Sequence, residues 1–236
     1  MFLLDKIYLS YWEVTVMDIY EAIQSRHSVR SYCSRPIEPE KIAALQSLID
    51  SVNAESGLHI QLKVNEPGGF SGIMAHYGSF DGVQNYIVMA GPKNADRAIG
   101  YYGEKIVLAA QMLELNTCWV ALTFNKRKAV YDLADGEKLH VVISLGYGKT
   151  QGSPHRSKSP SAVSNLTASS PDWFRKGVES ALLAPTAVNQ QKFFFSLDGD
   201  TVQAKAGSGF YTEMDLGIAM YHFDIGSGRN HFEFKG

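Results

Sequence analysis

The chain of 236 residues is 45% apolar, 11% aromatic and 19% charged, which excludes a disordered, fibrous or membrane-embedded protein and leaves room for one large domain or two small packed lobes. Lys and Arg number 22 against 24 Asp and Glu, a net charge of −2, so there is no positive field to hold a nucleic-acid backbone or an anionic membrane.

The first sixteen residues are greasy, but Asp5, Lys6 and Glu13 interrupt them and no small-residue cleavage site follows, so they are not read as a signal peptide. Asp18 is a suitable N-cap for a helix with Ile19, Ala22 and Ile23 on one face, which runs into the polar cluster Arg26-His27-Ser28-Val29-Arg30. Pro39 opens a second amphipathic helix through Ile42, Leu45, Leu48, Ile49 and Val52, closing near Gly57. Leu58, Ile60, Leu62 and Val64 alternate as a half-buried strand, and residues 67–82 form a glycine-rich excursion whose aromatics, with Phe70, Tyr77, Phe80 and nearby Tyr86, are candidates for a lid. A strand is expected over 86–90, a buried central helix over 96–115, and strands over 117–122 and 139–145 with a short helical piece at 126–134 between them.

From Tyr147 to Ser170 the composition changes to seven serines, two prolines and two glycines without apolar periodicity, the pattern of a surface crossing. Ser170 and Pro171 then launch a helix through Phe174, Val178, Ala181 and Leu182 that stops at Pro185. Strands over 192–197 and 201–206 flank the hairpin signal Asp198-Gly199. Thr212 and Asp215 read as a capping box for a last helix, and 230–234 as a closing strand. This divides the chain into a first half at 17–146, a crossing segment at 147–170 and a shorter second half at 171–236.

Several motifs fail on inspection. Gly148-Lys149-Thr150 follows a strand, but Ile143 stands where a P-loop needs its first glycine. Gly69-Phe70-Ser71-Gly72 places its second glycine one residue early for a nucleophile elbow. The seven histidines show no HExxH or paired metal spacing, and the GSG triplets at Gly207 and Gly226 open no dinucleotide-binding unit. Cys33 and Cys118 have neither CxxC nor Cys/His spacing, which argues for a reducing cytoplasm and against a disulfide scaffold or structural zinc.

Two constellations remain. Arg26, Ser28 and Arg30 alternate, so an extended segment projects two guanidinium forks and a hydroxyl to one side, which suits a phosphate, although basic residues at a helix C-terminus also serve the macrodipole alone. A phosphate there gains nothing from that dipole, so further cations are expected from Lys149, His155, Arg156 and Lys158. Asn189 and Gln191, two apart after the Pro185 helix stop, present amides that match the alternating carbonyls and N–H of a flavin's pyrimidine edge, or else perform ordinary turn chemistry.

The chain resembles the FMN-dependent nitroreductase family. Residues 26–32 (RHSVRSY) are similar to its N-terminal phosphate motif, 103–120 ending Asn116-Thr117-Cys118-Trp119-Val120 to its central helix and following turn, and 183–191 (LAPTAVNQQ) to the segment against the flavin ring. The last segment arrives about 155 residues after the first, whereas the usual plan keeps them close. The loose echo of the central helix at Asp215-Leu216-Gly217-Ile218-Ala219 makes the chain similar to a branch with two fused half-units.

The resemblance implies an α+β, nitroreductase-like fold: a mixed, mainly antiparallel sheet flanked by helices, with two half-units forming an internal pseudo-dimer, so that the chain is a monomer or a weak homodimer. It implies FMN as cofactor and NADH or NADPH as reductant, the acceptor being a nitroaromatic, quinone or enone. Arg26, Ser28 and Arg30 would hold the phosphate and ribityl end, with Arg156 in support and His27 as a further candidate. Pro185, Thr186, Asn189 and Gln191 would line the ring, and backbone near Ala121 and Leu122 would approach its N5 edge. Leu122, where the family often has glycine, is expected to narrow the substrate face. The cofactor supplies the redox chemistry, so no catalytic side chain is required. A flavin-binding module without turnover, or a dehalogenase or flavin-degrading relative, are the alternatives.

Overall fold

In the computed structural model, which describes residues 17–228 and 233–235, helix α1 (Ile19–Ser25) begins at the expected cap, with a reciprocal hydrogen-bonded box between Asp18 and Glu21. Helix α2 (Pro39–Ser56) starts at its proline and ends at Gly57, whose φ of 69° is the left-handed cap that glycine accepts without strain. Strands β1 (Gln61–Lys63), β2 (Asn85–Pro92), β3 (Asn116–Val120) and β4 (Glu137–Gly146) make an antiparallel sheet in the order β1-β2-β4-β3. Between β2 and β3 runs α4 (Asp96–Met112), and the glycine-rich excursion contains the short helix α3 (Ile73–Tyr77).

The sheet is buried on both faces because its central strands alternate between two apolar layers. Ile87, Met89, Ile143 and Leu145 pack with Leu45, Ile49 and Ile106 of α2 and α4. Val88, Ala90, Val142 and Val120 pack on the opposite side with Tyr32, Phe70, Phe80 and Phe124. Phe70, Phe80 and Tyr86 therefore belong to this second layer, with Phe70 and Phe80 ring centroids 5.1 Å apart. The expected aromatic lid is a core instead, and Tyr77 points to solvent.

The helical piece expected at 126–134 is absent. Side chains from neighbouring strands claim the backbone donors that a helix would use internally: Val130 N–H donates to Tyr86 Oη (2.7 Å), Asp132 N–H to Gln61 Oε1 (3.0 Å) and Ala134 N–H to Glu137 Oε2 (2.7 Å). Residues 126–129 make a single turn, with Lys128 and Ala129 N–H donating to Asn125 O, and 130–134 follow without regular structure.

The crossing segment carries the short helix α5 (Pro160–Val163). Helix α6 (Asp172–Ala181) starts one residue later than expected, with Pro171 at the cap. Strands β5 (Phe193–Asp198) and β6 (Thr201–Ala206) form the expected hairpin, and β7 (Glu233–Lys235) adds to β6 in parallel; of the predicted closing strand, residues 230–232 lie outside the described residues. These strands form a separate three-stranded sheet. Helix α7 (Thr212–Ser227) is buried along most of its length, and Phe223 links α6 to the second sheet by stacking on Phe195 at 4.7 Å and meeting Phe174 at 5.7 Å.

The predicted capping box at Thr212 is not formed. Tyr211 is the cap residue, and the Asp215 carboxylate turns away to a different loop. Helices α4 and α7 cross where each presents a glycine. A Cβ on Gly100 would lie 2.0 Å from the Met214 carbonyl oxygen, and one on Gly217 would lie 2.0 Å from that of Arg97. This close approach joins the first sheet's central helix to the second sheet's helix.

Candidate functional site

After α1 the chain runs extended beside β3, with Val29 N–H donating to Thr117 O (3.0 Å) and Ser28 bridging Thr117 in parallel. Val29 is buried on the sheet side, and Tyr32 fixes the segment by donating to Val29 O or bonding Ser144 Oγ, both at 2.7 Å. Arg26, Ser28 and Arg30 all line one open cleft of about 440 Å³, as their spacing predicts, and His27 between them reaches it as well.

The far wall of that cleft is Pro185, Thr186, Val188 and Asn189. Segments about 155 residues apart in sequence therefore face one another. A narrower recess of about 140 Å³ adjoins it, sharing Ser28, Arg30, Pro185, Thr186 and Val188 as walls. The recess is closed by Trp119, Val120 and Ala121 at the end of β3, and by Met214, Asp215 and Ile218 from the start of α7. One end of the combined site is cationic and the other is largely apolar.

The cations are held differently. Arg26 is 3% exposed, 3.6 Å from the Glu104 carboxylate of α4, and its buried Nε has no hydrogen-bond partner. Arg30 is exposed, with its guanidinium 6.0 Å from the Phe80 ring centroid. His27 also lines the cleft; burial first, then the charge of Arg26 and the neighbouring His155, lower its pKa below 6.5, so it is uncharged at neutral pH.

Of the cations expected from the crossing segment, His155 alone lines the cleft, where its Nε2 meets Leu182 O at 2.9 Å. Lys149 is paired with Asp81 at 2.6 Å, Lys158 Nζ donates to the carbonyls of Gln190 and Gln191, and the exposed Arg156 side chain is outside the lining. The segment instead contributes Gly152 and Ser153. Gly152 has a φ of 75°, and a Cβ there would lie 2.7 Å from the His27 Cβ, so the chain approaches as closely as glycine alone permits.

The Pro185–Gln191 loop is strained, with non-glycine φ values of 45° at Val188, 55° at Asn189 and 43° at Gln191. Gln191 is buried and its amide is fully engaged: Oε1 accepts from Lys158 N–H (2.8 Å), and Nε2 donates to Arg156 O (2.9 Å) and Asn189 Oδ1 (2.7 Å). Gln191 therefore braces the loop against the crossing segment and does not reach the cleft. Asn189 lines the cleft, but its Nδ2 donates to Arg156 O. Leu122 is 70% exposed and outside both linings, so it does not narrow the recess; Val188, 82% exposed, stands at the border of both cavities.

Asp215 braces the same loop from the other side. Its Oδ1 accepts from Ala187 N–H (2.9 Å) and its Oδ2 from Gln190 Nε2 (2.7 Å). Burial raises its pKa to about 6 despite these two bonds. Sequence reasoning missed Asp215 as a site residue, although an acid opening the apolar run to Ala219 was a usable signal. Cys118 also borders the recess; burial raises its pKa, so it remains a thiol at neutral pH and is no nucleophile.

With this geometry in place, the family described as "Putative TM nitroreductase" matches residues 18–227, and the chain belongs to that family. A crystal structure of a "putative nitroreductase" from Thermotoga maritima has the same fold: 22% identity and a TM-score of 0.66, over 95% of this chain and 88% of that one. A "putative nitroreductase in complex with FMN" from Desulfovibrio desulfuricans is 17% identical with a TM-score of 0.49, over 65% of this chain and 98% of that one. No curated protein matches the chain. The fold is thus α+β and nitroreductase-like, with antiparallel strands and flanking helices as expected, divided into a four-stranded and a three-stranded sheet.

Proposed function

We propose that the chain is an FMN-dependent oxidoreductase of the reducing cytoplasm that passes hydride from NADH or NADPH to a flat acceptor, namely a nitroaromatic, quinone or enone. The observation that carries this reading is the meeting of the Arg26–Arg30 and Pro185–Asn189 segments across one cleft, with a cationic end and an apolar end. The donor set fits the cofactor. Two guanidiniums, one with a buried and unpartnered Nε, and the Ser28 hydroxyl suit a phosphate. The recess beside Ala121, Pro185 and Thr186 suits the edge of a planar ring.

Bound there, FMN would supply the hydride-accepting and hydride-donating chemistry. The chain's own residues bind and orient it. Arg26 and Arg30 neutralise the phosphate, the loop braced by Asp215 and Gln191 sets the position of Pro185 and Thr186, and Met214 and Ile218 keep water from the recess. Because one polypeptide supplies both walls, we read it as an internal pseudo-dimer of halves 17–146 and 171–236 joined by 147–170, needing no second copy to complete the site. The test is an absorption spectrum of protein incubated with FMN, desalted, and then treated anaerobically with NADH or NADPH. Retained flavin that bleaches with either nucleotide and recovers with a quinone is expected. No retained flavin, or flavin that neither nucleotide bleaches, contradicts an enzyme of this class.

A further inference from the structure

Behind the cationic end of the cleft lies a charge cluster that reaches across the molecule. Glu104 of α4 and His222 of α7 are both fully buried, and the Glu104 carboxylate faces three groups. Its Oε2 accepts from the Trp119 indole N–H (2.9 Å), its Oε1 faces His222 Nε2 (2.9 Å), and Arg26 Nε stands 3.6 Å from the same Oε1, too far for a hydrogen bond. Burial would raise the Glu104 pKa, but the His222 hydrogen bond and charge, with Arg26 and Trp119, outweigh it and hold the group below its ordinary value, so it is a carboxylate.

His222 Nδ1 faces the Ser180 carbonyl of α6 at 3.2 Å. Both partners of the ring are acceptors, so a ring that bonds to both carries two protons and a positive charge. Arg26 and His222 then set two buried positive charges against one carboxylate, and among the described residues neither has an ion pair with any other acid. One surplus positive charge is left beside the wall that Arg26 contributes to the cleft. A buried, uncompensated charge is costly, and an anion in the cleft would offset it.

We propose that Glu104 and His222 are positioning residues that keep Arg26 only half neutralised, and that they thereby make the cleft select a phosphorylated ring ligand over its uncharged counterpart. This rests on the reading of Arg26 as a phosphate contact. Trp119 occupies one carboxylate oxygen and His222 the other, which prevents the two-point pairing that would retire the Arg26 guanidinium into a closed ion pair. The arrangement also couples the cleft to α6 and α7, since Ser180 and His222 hold the far end of the cluster.

The experiment measures the affinities of FMN and riboflavin by fluorescence titration, and reads the ratio of the two. His222→Gln keeps a donor toward Glu104 but removes the surplus charge, and should lower the ratio about tenfold. Adding Glu104→Gln to that variant removes the matching negative charge and should restore the ratio to within about twofold of the wild type. A role limited to packing would move both affinities together and would not be rescued by a second substitution. An unchanged ratio in folded H222Q, or no recovery in the double variant, overturns the proposal. If H222Q does not fold, Glu104→Gln alone decides: with the negative charge gone and both positive charges left, the ratio should rise about tenfold, and an unchanged or lower ratio overturns the proposal. A wild type that binds neither ligand instead overturns the flavin reading itself.

Discussion

Arg26 and Arg30 show how much a two-residue repeat can say and what it leaves out. The alternation placed both guanidiniums on one side of an extended segment, and the structure has both at one cleft. It could not show that Arg26 is buried against Glu104 while Arg30 is exposed, because that difference comes from α4, about 75 residues away in the chain. Charge-assisted bonds to a phosphate contribute roughly 1.5 to 3 kcal/mol each. The R26A/R30A double variant should therefore retain FMN at least about a hundredfold less tightly, as read by equilibrium dialysis; unchanged retention would return both arginines to a helix-end role.

Asp215 makes a prediction of opposite character, about stability. Its folded pKa of about 6 lies above the ordinary 3.8, so the native state binds its proton more tightly than the unfolded chain does. Stability from this group is therefore present at low pH and is lost as pH rises from about 4 through 6, by at most about 3 kcal/mol. Asp215→Asn removes that dependence. Urea unfolding at pH 4 and 7 should show the variant gaining on the wild type as pH rises, and a difference that stays flat contradicts the burial argument. Comparing the two proteins cancels the opposite contributions of groups such as Glu38, whose hydrogen bond from Tyr147 leads the causes that lower its pKa to about 2.

Among the elements, the helices were legible because caps and apolar stripes are local signals. Asp18, Pro39 and Gly57 each mark a boundary that the structure keeps. The errors arose where side chains from elsewhere took over backbone groups. Tyr86, Gln61 and Glu137 accept from the backbone N–H groups of Val130, Asp132 and Ala134, and the Asp215 side chain turns from its own helix to brace the Ala187 loop. The crossing of α4 and α7 was likewise hidden, since nothing near Gly100 or Gly217 announces a partner. In an exposed helix, glycine to alanine would gain about 1 kcal/mol. Here a Cβ would meet a carbonyl oxygen at 2.0 Å, so Gly217→Ala should instead cost roughly 1 to 3 kcal/mol or more, seen as a lowered unfolding midpoint. A stabilised G217A would mean that the helices do not approach this closely.

Over the whole molecule, the sequence supplied the ingredients of the site but not its outer wall. Pro185, Thr186 and Ala121 line the recess, whereas Arg156 and Leu122 fall outside the linings and Gln191 is turned into the fold. The positions of Arg156 and Gln191 share a cause: the crossing segment packs onto the 185–191 loop through backbone carbonyls and side-chain amides, a pairing that no periodicity encodes. The account rests on both segments gripping one ligand, and a crystal structure of the protein with FMN tests this directly. It should place the phosphate against Arg26, Ser28 and Arg30 and the ring beside Ala121, Pro185 and Thr186. A phosphate bound away from those arginines, or a ring outside the recess, would contradict it.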